Sequence, residues 1–285
     1  MITVTGATGQ LGRLVVTGLL DSGVPAGEVT ALVRDAARAG DLADRGVRVA
    51  VADYTDRASL EEALAGTDRL LLVSGSEVGR RVAQHTNVVE AAKAAGVELL
   101  VYTSAPKADA TDLVLAPEHA ATEKAIAASG LPAVVLRNNW YWENYDAQIG
   151  QAAATGQVVG SAGQGRAWPA SRADFAAAAV AVLTADEPQP GTLELGGDAP
   201  FTLADLAAEV GRQTGREVTS QDLSTDEHVA ALRGAGLDEG TAGFVAALDG
   251  NIATGALDAG RGGISTLTGR PTRTLAEHVA QVLGR

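Results

Sequence analysis

Residues 5–12 read Thr5-Gly6-Ala7-Thr8-Gly9-Gln10-Leu11-Gly12. They follow the β-branched run Ile2-Thr3-Val4 and lead into Leu14, Val15, Val16, Leu19 and Leu20, whose spacing is helical. The start of the chain therefore encodes a strand, a glycine-rich turn and a helix. Gly6 suits a tight turn, Gly9 lets backbone approach a phosphate with no Cβ in the way, and Gly12 lets helix and strand pack closely. The unpaired N–H groups and positive end of the helix would then face a dinucleotide pyrophosphate. Three glycines also mark ordinary strand-to-helix turns. The spacing here is Gly-x-x-Gly-x-x-Gly rather than Gly-x-Gly-x-x-Gly, but the glycine roles are the same and the strand-helix context favours the nucleotide.

Length and charge narrow the rest. A chain of 285 residues holds one large α/β domain with a smaller lobe. A net charge of -13 without any basic run argues against nucleic acid as a partner. The absence of cysteine excludes disulfides, thiolate catalysis and cysteine-ligated zinc. The first strand leaves no room for a signal peptide, and the alanine-rich residues 176–185 are too short to span a bilayer, so a cytoplasmic protein without a membrane partner is expected. A homodimer is compatible with the sequence, which does not settle the oligomeric state.

Strands are predicted over residues 29–33, 47–51, 70–73, 99–103 and 133–137, with helices between them, including long ones over 78–95 and 118–129. Six strands alternating with helices predict an α/β fold of the Rossmann type, a doubly wound, mainly parallel sheet with its ligand crevice at the carboxyl ends of the strands. The second strand ends in Arg34-Asp35. At that position an arginine favours a 2'-phosphate and an acid favours a 2'-hydroxyl, so Arg34 coming first points to NADPH. A surface arginine before a helix is the plainer alternative. Asp53, after the third strand, either lies near the adenine or caps a turn. Ser74-Gly75-Ser76, after the fourth, are small enough for backbone to pass close to a nicotinamide ribose.

The segment Asn138-Asn139-Trp140-Tyr141-Trp142-Glu143-Asn144-Tyr145 ends the sixth strand. The chain has only three Trp, four Tyr and three Phe, so this is a dense aromatic cluster. It offers flat apolar walls for a planar substrate with amides to orient it, or rings that fasten a C-terminal lobe. Residues 1–150 are expected to form the nucleotide-binding domain. Residues 151–285 are expected to form a small substrate lobe interleaved with the last sheet elements, with Thr202 and Thr274 as helix N-caps.

Ketone-reducing enzymes of this architecture often carry Tyr-x-x-x-Lys. Four residues after Tyr54, Tyr102, Tyr141 and Tyr145 stand Ala58, Pro106, Tyr145 and Ile149, and four before Lys124 stands Ala120. The usual acid for carbonyl reduction is absent, which also disfavours a nucleotide-sugar epimerase. Hydride transfer to an electron-poor acceptor such as a quinone yields a delocalised phenolate and needs less proton assistance, so positioning supplies most of the rate. His119 is a proton donor or a wall of the site, although a lone histidine is more often structural. Tyr141 is the other candidate catalytic residue. No histidine or carboxylate spacing suggests a metal.

With those residues in view, the chain resembles the NmrA-like atypical short-chain dehydrogenases, and among them the bacterial NADPH-dependent quinone oxidoreductases. The resemblance runs from residues 5–12 through Ser74-Gly75-Ser76-Glu77-Val78-Gly79 and Ala91-Ala92-Lys93-Ala94-Ala95-Gly96-Val97 to the aromatic segment, which is also similar to that of triphenylmethane dye reductases. It implies NADPH bound by Gly6, Ala7, Thr8, Gly9, Gln10, Leu11, Arg34, Ser74, Gly75, Ser76, Asn138, Asn139, Trp140, Tyr141, Trp142 and Glu143, with a quinone or similar conjugated acceptor over the nicotinamide. Some NmrA-like proteins bind the dinucleotide as redox sensors without turnover, which is the alternative function.

Overall fold

Residues 1–285 are all described by the computed structural model. The chain begins β1 (Ile2–Val4), α1 (Gln10–Asp21), β2 (Val29–Val33), α2 (Gly40–Asp44), β3 (Arg48–Val51), α3 (Arg57–Ala63), β4 (Arg69–Leu72) and α4 (Arg81–Ala94). It continues β5 (Leu99–Ser104), α5 (Ala116–Ser129), β6 (Ala133–Asn138), α6 (Asp146–Thr155), β7 (Gln157–Gly160), α7 (Arg172–Thr184) and β8 (Gly191–Leu195). The remainder is α8 (Leu203–Thr214), β9 (Thr219–Asp222), α9 (Thr225–Gly234), α10 (Glu239–Ala253), α11 (Gly263–Thr268) and α12 (Leu275–Val282). These elements gather into two compact units. The first comprises Met1–Asp109, Pro117–Asn138 and Arg172–Leu193, and the second Ala110–Ala116, Asn139–Ser171 and Glu194–Arg285.

The first unit is built on a sheet of order β3-β2-β1-β4-β5-β6-β8, in which β1 to β6 all pair in parallel. Every residue of β2 and β5 is buried, as expected for a sheet covered on both faces. The chain walks outward from β1 to β3, then returns to add β4 on the other side of β1. That reversal puts the topological switch point between β1 and β4. Leu60, Leu64, Leu72, Val88 and Tyr102 fill one core cluster. The helix α7 returns to this unit and packs along α1, where Gly18 approaches so closely that a Cβ there would lie 3.0 Å from Val180.

The helix expected from residue 78 begins at Arg81. Residues 74–79 are instead a loop whose backbone groups are taken by side chains of β5, α4 and α5, which a hydrophobic period cannot reveal.

In the second unit, α8 packs against α6 and α12, and β7 pairs with β9 in a separate parallel ribbon. The four residues of β9 are exposed and polar, so no alternation marks this strand in the sequence. The N-caps expected at Thr202 and Thr274 form complete capping boxes with Asp205 and Glu277.

Candidate active site

Gly6 takes φ +57, a conformation that favours glycine, and its carbonyl accepts the Gly9 N–H at 2.8 Å. A Cβ on Gly12 would stand 2.3 Å from that same carbonyl oxygen, and one on Gly9 would stand 3.1 Å from it. The turn thus has no room for a side chain at Gly12 and only a tight fit for one at Gly9. Helix α1 starts at Gly9 with no side-chain cap and no acid in its first turn, so its positive end is left for an external anion. Gly6, Gly9 and Gln10 are exposed, Thr8 is half-buried, and Ala7 and Leu11 are buried beneath them. A pyrophosphate fits this cradle on chemical grounds.

Arg34 follows β2 with its side chain 70% exposed and Nη1 3.5 Å from Glu77 Oε1. Both neighbouring acids are engaged in local turns. Asp35 Oδ1 accepts the Ala37 N–H at 3.0 Å, and Asp53 Oδ1 accepts the Thr55 N–H at 2.7 Å and the Thr55 hydroxyl at 2.6 Å. Of the two roles weighed for Asp53, the turn cap is the one observed. These Thr55 bonds, helped by the charges of Arg34 and Arg80, hold its carboxyl below the usual carboxylate range.

Beyond β4, successive backbone groups leave the sheet ladder and are claimed by side chains. The Val73 N–H donates to Thr5 Oγ1 at 3.0 Å, the Ser74 N–H to Thr103 Oγ1 at 2.9 Å, and the Gly75 N–H to His85 Nε2 at 2.9 Å. Arg81 Nε donates to the Gly75 carbonyl at 2.8 Å, and Arg81 Nη1 pairs with Glu118 Oε2 at 2.9 Å. Glu118 Oε1 also accepts the Gly79 N–H at 2.9 Å. The His85 tautomer follows from its partners. The Thr122 hydroxyl spends its proton on the Glu118 carbonyl, so it accepts from His85 Nδ1 at 3.0 Å and Nε2 remains an acceptor. Burial, reinforced by the Arg81 charge, lowers the His85 pKa to about 3 and keeps the ring neutral. Sequence reasoning missed Arg81, His85, Glu118 and Thr122. The available signal was a buried Arg81-x-x-Gln84-His85 set on the inner side of α4, where an amphipathic helix should be apolar.

His119 lies on α5 with Nδ1 2.8 Å from the Tyr102 hydroxyl. Burial lowers its pKa to about 3, with Arg81 and His85 contributing, so the ring is uncharged. The same burial drives the Tyr102 hydroxyl upward, away from acid catalysis near neutrality. His119 is therefore a buried, neutral ring held against Tyr102. At the end of β6, Arg137 makes a double hydrogen bond to Glu123, at 3.0 and 2.6 Å, and reaches Asp109 at 2.8 Å. Asn138, only 6% exposed, has an Oδ1 atom with no hydrogen-bond partner.

The aromatic segment belongs to the second unit and divides by role. Trp142 is buried, donates its indole N–H to the Arg273 carbonyl at 3.0 Å and lies 4.9 Å from the Phe201 ring. Tyr145 meets the same Phe201 edge-on at 5.0 Å. The Asn139 amide donates to the Leu257 and Ala259 carbonyls at 3.0 and 2.9 Å and accepts the Trp140 N–H at 2.8 Å. Asn139, Trp142 and Tyr145 are therefore committed to holding this unit together. Trp140, Tyr141 and Glu143 are half-buried. The structure brings Gly6, Ala7, Thr8, Gly9, Gln10, Leu11, Arg34, Ser74, Gly75, Ser76 and Asn138 into the first unit, after the carboxyl ends of β1, β2 and β4 and at the last residue of β6.

The chain is similar to proteins of known family and fold. The NAD(P)H-binding family model matches residues 6–186. Quinone oxidoreductase 2 of Escherichia coli strain K12 is 46% identical over 282 residues, covering 99% of this chain and 98% of the relative. The crystal structure of an E. coli NADPH-dependent quinone oxidoreductase complexed with NADPH superposes with a TM-score of 0.96, covering 99% of this chain and all of that one at 46% identity. The Citrobacter sp. triphenylmethane reductase complexed with NADP(H) gives 0.95 at 36% identity, covering 99% and 100%. The chain is a member of the NAD(P)H-binding family, an NmrA-like oxidoreductase of the Rossmann type.

Proposed function

We propose that the protein catalyses NADPH-dependent reduction of quinones or similar flat conjugated acceptors by direct hydride transfer. The observation that carries this reading is the uncapped start of α1 over a side-chain-free turn, beside an arginine at the tip of β2 whose ion pair with Glu77 is long and exposed. Backbone amides at the start of α1 bind the pyrophosphate, which lies against residues 6–11, and Arg34 binds the 2'-phosphate. Ser74 to Ser76 border the nicotinamide ribose on a loop fixed by His85 and Arg81, and the unpartnered Asn138 Oδ1 supplies an acceptor to the bound molecule. When bound, NADPH supplies the hydride.

Trp140 and Tyr141, the half-buried rings of the aromatic segment, present flat faces to the acceptor. No tyrosine–lysine acid is present, and the buried Tyr102 and His119 are poor proton donors. A quinone suits such a site because its reduced oxygen is a phenolate that takes its proton from water.

The test is steady consumption of NADPH with a benzoquinone and a naphthoquinone, followed by the loss of reduced-nicotinamide absorbance. Tight NADPH binding without turnover across a broad acceptor panel would overturn the enzymatic reading in favour of a redox sensor.

A further inference from the structure

Glu77 stands between two arginines that come from different loops. Its Oε1 is 3.5 Å from Arg34 Nη1, and its Oε2 is 3.2 Å from Arg80 Nη1. Arg34 follows β2, whereas Glu77 and Arg80 lie after β4, and β2 and β4 are the two neighbours of β1. The carboxylate therefore links the segments on either side of the glycine turn. Gln84 Nε2 donates to the same Oε2 at 3.2 Å, fixing Glu77 from behind. The two guanidiniums therefore flank one carboxylate.

The side chains of Arg34, Arg80 and Glu77 are 70%, 67% and 39% exposed, so exchanging one anion for another here carries a small desolvation cost. A carboxylate and a phosphate offer a guanidinium the same kind of partner, two oxygens for paired N–H donors. A phosphate carries more charge.

On this basis, and resting on the proposed NADPH reading, we infer that Arg80 is a second 2'-phosphate-binding residue and that Glu77 is a built-in stand-in that the phosphate displaces. Glu77 neutralises two like charges while the cofactor is away and competes with the phosphate when it arrives. The preference for NADPH over NADH is thus the outcome of a contest at Glu77 as well as the gift of Arg34.

The experiment is calorimetric titration of the wild type, Arg34→Ala, Arg80→Ala, Arg80→Lys and Glu77→Gln with NADPH and with NADH, each variant first checked by thermal unfolding. Arg80→Ala should weaken NADPH by roughly 3- to 20-fold, with NADH within about twofold, as expected for one exposed charge-assisted contact. Arg80→Lys should retain most of the affinity. Glu77→Gln should tighten NADPH by roughly 3- to 10-fold through loss of the competing charge, again with NADH little changed. Arg80→Ala acting equally on both cofactors, or on neither, would overturn the inference, as would Glu77→Gln weakening NADPH. Loss of the cofactor reading itself has a different signature, namely a wild type that binds neither dinucleotide or an Arg34→Ala variant with unchanged NADPH affinity.

Discussion

His85 Nε2 accepts the Gly75 N–H at 2.9 Å while its Nδ1 is held 3.0 Å from Thr122 Oγ1, so one neutral ring on α4 joins the loop after β4 to α5. Replacing His85 by alanine leaves the Gly75 N–H and the Thr122 hydroxyl without this partner and opens a void, at a cost of about 2 to 4 kcal/mol. The loop that carries Ser74 to Ser76 should loosen with it. The expected result is a lower Tm together with a higher Kd for NADPH, while the hydride-transfer rate at saturating cofactor changes less.

The same ring sets a pH dependence. The folded-state pKa values of His85 and His119, both about 3, lie below the ordinary 6.5, so between these limits the unfolded chain binds protons that the folded chain refuses. Their contribution to stability is fully present above the unfolded pKa and is lost as pH falls towards the folded value, by up to about 1.4 kcal/mol per pH unit for each ring. Thermal unfolding should show a falling Tm through this acid range, and His85→Gln should flatten the slope. An unchanged slope would show that other groups govern the acid limb.

Two glycines of the turn should fail in different ways. Gly12→Ala drives a Cβ to 2.3 Å from the Gly6 carbonyl oxygen and must move backbone, which should cost about 2 to 3 kcal/mol. Gly9→Ala meets the same oxygen at 3.1 Å and needs only a small shift, so its fold should survive. Gly9→Ala is expected to weaken NADPH binding with little loss of Tm, and Gly12→Ala to lower both.

The aromatic segment can be separated by substitution. Trp142→Phe removes the donor to the Arg273 carbonyl and should destabilise by about 1 to 3 kcal/mol, with acceptor KM little altered in the protein that remains folded. Trp140→Ala or Tyr141→Phe should lower kcat/KM for the quinone with a smaller effect on Tm. The reverse pattern would make Trp140 and Tyr141 the anchors.

Glu123 and Arg137 form a nearly buried pair whose side chains are 13% and 10% exposed. Removing Glu123 leaves Arg137 with the more exposed Asp109 as an ion-pair partner at 2.8 Å, so Glu123→Ala should cost about 3 kcal/mol by denaturant unfolding, the lower end for breaking a buried pair. Changing both to apolar residues should restore part of that loss.

The parallel sheet was readable because β2, β4 and β5 are mostly apolar runs separated by helical spacing, and the glycine turn because its three small positions sit between a β-branched run and a helical period. Arg34 was readable for a similar reason, since strand order fixes where the tip of β2 must lie. What stayed hidden depends on partners distant in sequence. Gly75 and His85 are ten positions apart, but Arg81 and Glu118 lie on different helices, and nothing in local periodicity couples them. The exposed strand β9 was silent because Thr219, Ser220, Gln221 and Asp222 carry no apolar face; backbone pairing with β7 alone defines it. The split of the aromatic segment was hidden too, because Phe201 and Arg273, which claim Trp142, come much later in the chain.

At the carboxyl end of β4, the Thr5 and Thr103 hydroxyls take the amides of Val73 and Ser74 that a neighbouring strand would otherwise bind. These hydroxyls satisfy the two amides without stranding polar groups. The backbone of residues 73 and 74 is therefore held from both sides in the resting fold, like a plank pinned between two posts, and needs no ligand to fix its course.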